Sequence, residues 1–424
     1  MRPCPNRHSA AFRLTLTVLA AFACGSGTST TTSDPTGSNP GDPATPPDSG
    51  TLLPDSGTPP DSGTPETPPA VAFDKLANGA VIAGPVDLSA TAPANTGKVE
   101  FQVDGVLVAT APAAPFTASW DSFSVANGAH ALAARAIDAS GAALASSPIQ
   151  VTVSNHIRNV FVIVFENTDW SSVKGNAAAP YINKVLLAQG AHADKYMNVP
   201  GLHPSLPNYL WMEAGSNLGI KDDDVPANHR LSGPHLVAQL RSAGVTWKAY
   251  QEDISGTDCP LGYVNQYAPK HNPMIYFTDV NGGVDSKSSE CIAHVRPYPE
   301  LARDLEVDTV PAYSFITPNL CNDMHDCGIG TGDGWLSREV PKILASRAYK
   351  RGGAVFVTFD ESAGSDVPIG FIALSPLAKP GYGNQLYYTH SSMLRSVQEI
   401  FGVTPLLGDA ANAVNLSDLF RSFP

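Results

Sequence analysis

Positive charge is scarce in this chain: 26 Lys and Arg stand against 39 Asp and Glu, for a net charge of −13 over 424 residues. A surface of that sign cannot gather nucleic acid or an anionic membrane by counterion release, so nucleic acid is excluded as a partner by bulk charge and any phosphate must be recognised locally. Long apolar runs are missing too. The run from Leu14 to Ala23 is too short to span a bilayer and nothing later approaches spanning length, so the expectation is a soluble or tethered protein, not an integral one. Cysteine is sparse, with six residues and no CxxC pair, which counts against a zinc site.

What is present divides the chain into four parts. Residues 1–24 carry Arg2, Arg7 and Arg13, then the short apolar run, then small residues up to Cys24, the pattern of an export signal. Ala21-Phe22-Ala23-Cys24 resembles a bacterial lipoprotein cleavage site, which makes Cys24 a candidate lipid anchor, with plain secretion as the alternative. The expected location is therefore secreted or on the bacterial cell surface. Residues 25–69 are almost entirely Gly, Ser, Thr, Pro and Asp, with a degenerate repeat at Asp48, Asp55 and Asp61. Such a stretch buries too little apolar surface to offset its ordering entropy and reads as a disordered linker. Beyond the signal four cysteines remain, an even number that in an exported protein favours disulfides. Of the three pairings, Cys259 with Cys291 and Cys321 with Cys327 is preferred.

From 70 to 154 the apolar positions alternate, as at Val99, Phe101 and Val103 before Asp104-Gly105, and at Leu132, Ala134 and Ala136 after Asn127-Gly128. Period two with regular turn signals predicts a small antiparallel β-sandwich. Ser119-Trp120-Asp121 through Asp138-Ala139-Ser140-Gly141 resembles bacterial immunoglobulin-like modules that sit beside surface enzymes, without the cysteine pair of antibody domains. A spacer is the favoured role, and contact with a cell-surface glycan the alternative.

From 156 to 424 apolar strands alternate with amphipathic helices. Asn159–Phe165 and Ala354–Phe359 are near-continuous apolar runs, as strands buried on both faces must be, and further strands are expected at 311–317 and 370–375. Helices are expected over 180–189, over 233–243 capped by Ser232, over 206–214 capped by Ser205, and over 391–401. The class is α/β, with a mostly parallel sheet covered by helices.

Both central strands run into acids, Glu166-Asn167 and Asp360-Glu361. Ligands bind at the carboxyl ends of strands in parallel sheets, and three carboxylates gathered there require a cation, for which oxygen ligands favour a hard divalent metal. A helix cap or a solvated turn is the plainer reading of each pair taken alone. Ser205, before Leu206-Pro207-Asn208, would lie beside free N–H groups and the positive end of a helix, which suits either an alkoxide and a bound phosphate or an ordinary cap. The polar loop Asn319 to Cys327 places His325 and Asp326 in a small ring suited to phosphate contact, metal ligation or proton delivery. His271 and His390 are weaker candidates.

Taken together, Phe165-Glu166-Asn167-Thr168, Ser205-Leu206-Pro207-Asn208, Asp360-Glu361-Ser362-Ala363-Gly364 and Ala373-Leu374-Ser375-Pro376 resemble, in order, the acid phosphatase and phospholipase C family of alkaline-phosphatase-like phosphoesterases. The resemblance implies an alkaline-phosphatase-like fold and a phosphate ester substrate. It implies Glu166, Asn167, Asp360 and Glu361 as ligands of a divalent metal (Ca, Mg, Mn or Zn) and Ser205 as nucleophile. His325 and Asp326 would then stand near the phosphate, and Asn208, His271 and His390 would contact substrate. The chain departs from phospholipase members at Thr168-Asp169-Trp170, and after Gly364 it lacks the histidine of a longer Asp-Glu motif, for which His390 or His325 could substitute. The expected activity is an exported acid-phosphatase-type phosphomonoesterase with a phosphoserine intermediate. The alternatives are a phospholipase C, or a surface-binding lipoprotein with a degenerate enzyme domain.

Overall fold

The computed structural model describes residues 71–424, so the expected export signal, the expected 25–69 linker and Cys24 lie outside the described residues. The alternating segment folds into β1 (Ala72–Phe73), β2 (Ala80–Ile82), β3 (Pro85–Thr91), β4 (Thr96–Val103), β5 (Val106–Ala111), β6 (Phe116–Asp121), β7 (Gly128–Asp138) and β8 (Ala143–Val153). They form two sheets, β1-β3-β6 and β2-β8-β7-β4-β5. Val99, Phe101 and Val103 on β4 and Leu132, Ala134 and Ala136 on β7 are all buried, which is what a period of two requires of one face. Asp104 and Gly105 take φ of 50° and 80° and close the β4–β5 hairpin in the left-handed conformation that such a turn needs.

The α/β part contains β9 (Asn159–Phe165), β10 (Ala191–Ala193), β11 (Tyr196–Met197), β12 (Trp247–Gln251), β13 (Val295–Pro297), β14 (Tyr313–Thr317), β15 (Gly353–Phe359), β16 (Phe371–Leu374), β17 (Tyr382–Asn384) and β18 (Tyr388–Thr389). Eight of these make one sheet in the order β13-β12-β14-β9-β15-β16-β10-β17. From β13 through β15 every pairing is parallel. β16 runs against both of its neighbours, because the loop joining it to β15 carries no crossover helix. Every side chain from Val160 to Phe165 and from Ala354 to Phe359 is buried, so the sheet's centre is apolar on both faces.

Two helix expectations are corrected. The helix placed at 233–243 under a Ser232 cap spans Leu236–Ser242, with His235 at its N-cap. Pro234 disfavours a helical residue before it, which delays the start. The 180–189 segment opens as a π-turn, Ile182–Leu186, and continues as Leu187–Gln189 up to Gly190. The disulfides are Cys259–Cys291 and Cys321–Cys327, with Cα separations of 5.4 Å and 4.7 Å.

A buried charge cluster ties the helix Ser205–Ala214 to its neighbours. His235 Nδ1 lies 2.8 Å from Glu213 Oε1 and its Nε2 3.0 Å from Asp279 Oδ1, with the imidazole fully buried against Phe277. Burial alone would lower the His235 pKa, but the two carboxylates raise it to about 9. A raised histidine stabilises the fold fully below its unfolded pKa, and that stability is lost as pH climbs through about 9. We expect His235→Ala to cost roughly 3–5 kcal/mol near neutral pH, since it strands Glu213 without a counter-charge. Thermal melts of both proteins should show the gap narrowing as the pH approaches 10; a constant gap would contradict the charged-histidine account.

Candidate active site

Parallel pairing of β9 with β15 sets Phe165 opposite Phe359, so the next residues, Glu166 and Asp360, leave the sheet side by side. β14 lies on the other flank of β9, and the loop that follows it brings in Asp323, whose carbonyl accepts the Glu166 N–H at 2.9 Å. All three carboxylates are fully buried. Asn167 takes φ of 42°, a conformation asparagine tolerates, and donates its N–H to Asp360 Oδ1 at 3.0 Å.

Ser205 is the first residue of the helix Ser205–Ala214, not its cap. Pro204, in extended conformation, holds the N-cap position, and the Ser205 hydroxyl donates to Glu166 Oε2 at 3.0 Å instead of folding back on the helix. One turn on, the Tyr209 hydroxyl donates to Glu166 Oε1. The Tyr209 ring stacks on His271 with centroids 5.1 Å apart. His271 stands between two acids, with Nε2 3.2 Å from Glu166 Oε1 and Nδ1 3.5 Å from Asp323 Oδ2.

Glu361 faces a different set. His203 Nδ1 lies 2.7 Å from its Oε2, and Asn208 Nδ2 donates to the same oxygen at 2.9 Å. His325 Nδ1 is paired with Asp326 Oδ1 at 2.7 Å, its backbone N–H donates to Asp323 Oδ1, and its ring centroid is 6.2 Å from that of His271. His390 sits behind the cluster, fully buried, with Nε2 2.6 Å from the Asp360 carbonyl oxygen and Nδ1 3.1 Å from the Tyr196 hydroxyl. Both ring nitrogens are thereby engaged, Nε2 on the Asp360 backbone and Nδ1 on the Tyr196 hydroxyl. Burial pushes the His390 pKa down to about 4, which leaves the ring neutral.

Burial, then the charges of Asp360 and Asp323, push Glu166 well above the carboxylate range. Burial likewise raises Asp323 to about 8 and Asp360 to about 6. Glu361 rises to about 9 through burial first and the Asp360 charge second. His271 is pushed well below its ordinary value by burial, with Lys270 and His325 adding to the effect, so it presents neutral nitrogens.

A divalent cation fits this donor set. Asp323 Oδ2, Asp360 Oδ2 and His271 Nε2 are buried without a hydrogen-bond partner, and orphaned acceptors of this kind call for a positive charge. Glu166, His271 and Asp323 each offer a ligand atom within 4.8 Å of the others. Asp323, Tyr209 and His203 are not identifiable from sequence patterns: Asp323 lies inside the polar loop Asn319 to Cys327 and His203 two residues before Ser205, but only the fold reveals that they face the acids.

Residues 176–404, more than half of the chain, match the model of the Phosphoesterase family, and residues 69–134 match a bacterial Ig domain. The chain is 30% identical over 265 residues to a phosphatidylinositol-3-phosphatase of Mycobacterium tuberculosis, covering 62% of this chain and 82% of that protein. It is 29% identical over 287 residues to a phosphate-repressible acid phosphatase of Penicillium chrysogenum, covering 64% of this chain and 66%, just under two thirds, of the relative. Among solved structures, murine ectonucleotide pyrophosphatase/phosphodiesterase 5 overlays loosely, with 11% identity, a TM-score of 0.41, and coverage of 62% of this chain and 100% of the other.

The raised carboxylates carry a sign that can be tested. Asp323, Asp360 and Glu361 keep protons in the metal-free fold where the unfolded chain has released them, so metal-free stability falls as pH rises from about 5 to about 9. We expect the melting temperature of chelator-treated protein to drop across that range. Divalent ions should raise it more at about pH 9 than at about pH 6, with protons released on binding. A metal-induced shift independent of pH would count against this cluster as the cation site.

Proposed function

Since the chain belongs to the phosphoesterase family and its chemistry is the hydrolysis of phosphoric esters, we propose that it is a phosphomonoesterase of acid-phosphatase type that works through a phosphoserine at Ser205. The observation that carries this reading is the Ser205 hydroxyl, at the first residue of a helix, donating to the buried carboxylate of Glu166. The positive end of the helix favours an anion beside that oxygen.

Glu166, His271, Asp323 and Asp360 are the side chains that would hold a divalent cation, Ca, Mg, Mn or Zn, with Asn167 and Glu361 as the further ligands implied by the sequence motifs. When bound, such a cation neutralises charge on the phosphoryl oxygens and beside the nucleophile. The remaining work belongs to the protein. Tyr209 fixes one oxygen of Glu166, and the other accepts the proton of Ser205 when the carboxyl is ionised, as it would be beside a bound cation. Ser205 Oγ attacks phosphorus in line, the bond from phosphorus to the leaving oxygen breaks, and that oxygen takes a proton from His325, which Asp326 orients. Water then attacks the phosphoserine and gives a proton to His325, the bond from phosphorus to Ser205 Oγ breaks, and Glu166 returns its proton to that oxygen, freeing inorganic phosphate. Asn208 braces Glu361, and His390 supports Asp360 from behind.

A phosphorylated lipid is a second substrate reading, favoured by the similarity to the mycobacterial phosphatidylinositol-3-phosphatase. A phospholipase C acting on diesters draws less support, given the departures at Thr168-Asp169-Trp170. Two disulfides and a bacterial immunoglobulin-like domain are features of a chain that works outside the cytoplasm. Attachment through a lipid at Cys24 belongs to the proposal, with residues 70–154 as a spacer and glycan contact as the alternative.

With an aryl phosphate as substrate, Ser205→Ala should lower kcat by more than about a thousandfold. His325→Ala should slow an alkyl phosphate by about 10²–10⁴-fold and a nitrophenyl phosphate far less, because nitrophenolate leaves without a proton. Substantial turnover by Ser205→Ala, or an equal His325→Ala effect on both esters, would refute these roles.

A further inference from the structure

Lys270 follows Pro269 in the short turn Pro269–His271, immediately before the histidine that faces Glu166 and Asp323. Its side chain is only 12% exposed, and among the described residues its one ion pair is with Asp223 Oδ2 at 2.9 Å. The other oxygen of Asp223 accepts the N–H of Leu206 at 2.9 Å, the residue directly after Ser205. One carboxylate thus holds both the first turn of the Ser205 helix and the Lys270 ammonium. An ammonium has three N–H donors, and this pair uses one of them. The positive charge of Lys270 also acts on Glu166, Asp323 and Glu361, pulling each carboxyl down against the burial that raises it.

A phosphate monoester brings up to two negative charges into a pocket already lined by acids, whereas a diester brings one. In a partly desolvated site each nearby cation then counts more for the monoester. Resting on the phosphomonoesterase reading, we infer that Lys270 binds a phosphoryl oxygen and biases the site toward monoester dianions, and that Asp223 is the positioning residue that aims it.

The test uses the full-length protein and the variants Lys270→Met, which keeps the apolar stem, Lys270→Arg and Asp223→Asn. Nitrophenyl phosphate and bis(nitrophenyl) phosphate are compared as substrates, and inorganic phosphate and dimethyl phosphate are titrated calorimetrically. Lys270→Met should raise KM for the monoester and weaken inorganic phosphate binding by about tenfold or more, the scale of a lost charge-assisted hydrogen bond. Turnover of the diester and binding of dimethyl phosphate should stay within about threefold, since one charge fewer meets the site. Lys270→Arg should restore most of the loss, and Asp223→Asn should move both measures in the direction of Lys270→Met. Equal losses for monoester and diester, or undiminished binding of inorganic phosphate, would overturn the inference. If the unaltered protein bound phosphate but hydrolysed no monoester, the phosphatase reading would fall, while the calorimetric comparison would still decide the role of Lys270.

Discussion

Three carboxylates cannot share a protein interior as anions unless protons, donors or cations compensate them, and the α/β part of this chain is arranged around that constraint. Glu166 and Asp360 are neighbours because β9 and β15 are parallel and in register up to their last residues. Asp323 joins them from the loop after the next parallel strand. Compensation comes from the hydroxyls of Ser205 and Tyr209, the backbone N–H of Asn167 and the charge of Lys270. Acceptors on Asp323, Asp360 and His271 are left over, and that remainder is what a bound cation would satisfy in the proposed mechanism.

Holding such a cluster needs a stiff surround. The central strands are apolar and buried on both faces, so the two acids project from a sheet packed between two layers. The Cys321–Cys327 bridge encloses Asp323, His325 and Asp326 in a small ring, which couples the candidate ligand to the candidate proton donor. Behind these, His390 fixes the backbone at Asp360 and the Glu213–His235 pair anchors the far end of the Ser205 helix. Residues distant from the phosphate can therefore move the nucleophile.

Much of this was legible in the sequence, and the residues that were not have something in common. Glu166 and Asp360 could be read because an apolar strand run ending in an acid is a local pattern whose consequence depends only on parallel pairing. The Asp104-Gly105 hairpin was legible for the same reason. Asp323, His203 and Lys270 escaped because their meaning arises from long-range loop packing: one histidine, His203, turns out to face Glu361, while another, His390, faces a backbone carbonyl, and nothing in spacing separates the two cases. A serine before a helix suits a cap by default, and nothing local to Ser205 marks it as the first helical residue. Here Pro204 takes the cap and Glu166 offers the hydroxyl a stronger acceptor.

The central claim is that Ser205 carries the phosphoryl group between substrate and water. Acid-quenched turnover of a phosphate ester, followed by mass spectrometry of the peptide around His203-Pro204-Ser205, tests it most directly. The account predicts one added phosphoryl group on Ser205 in the quenched protein, absent without substrate. Sustained turnover with that peptide unmodified at every quench time would mean direct transfer to water and would contradict it.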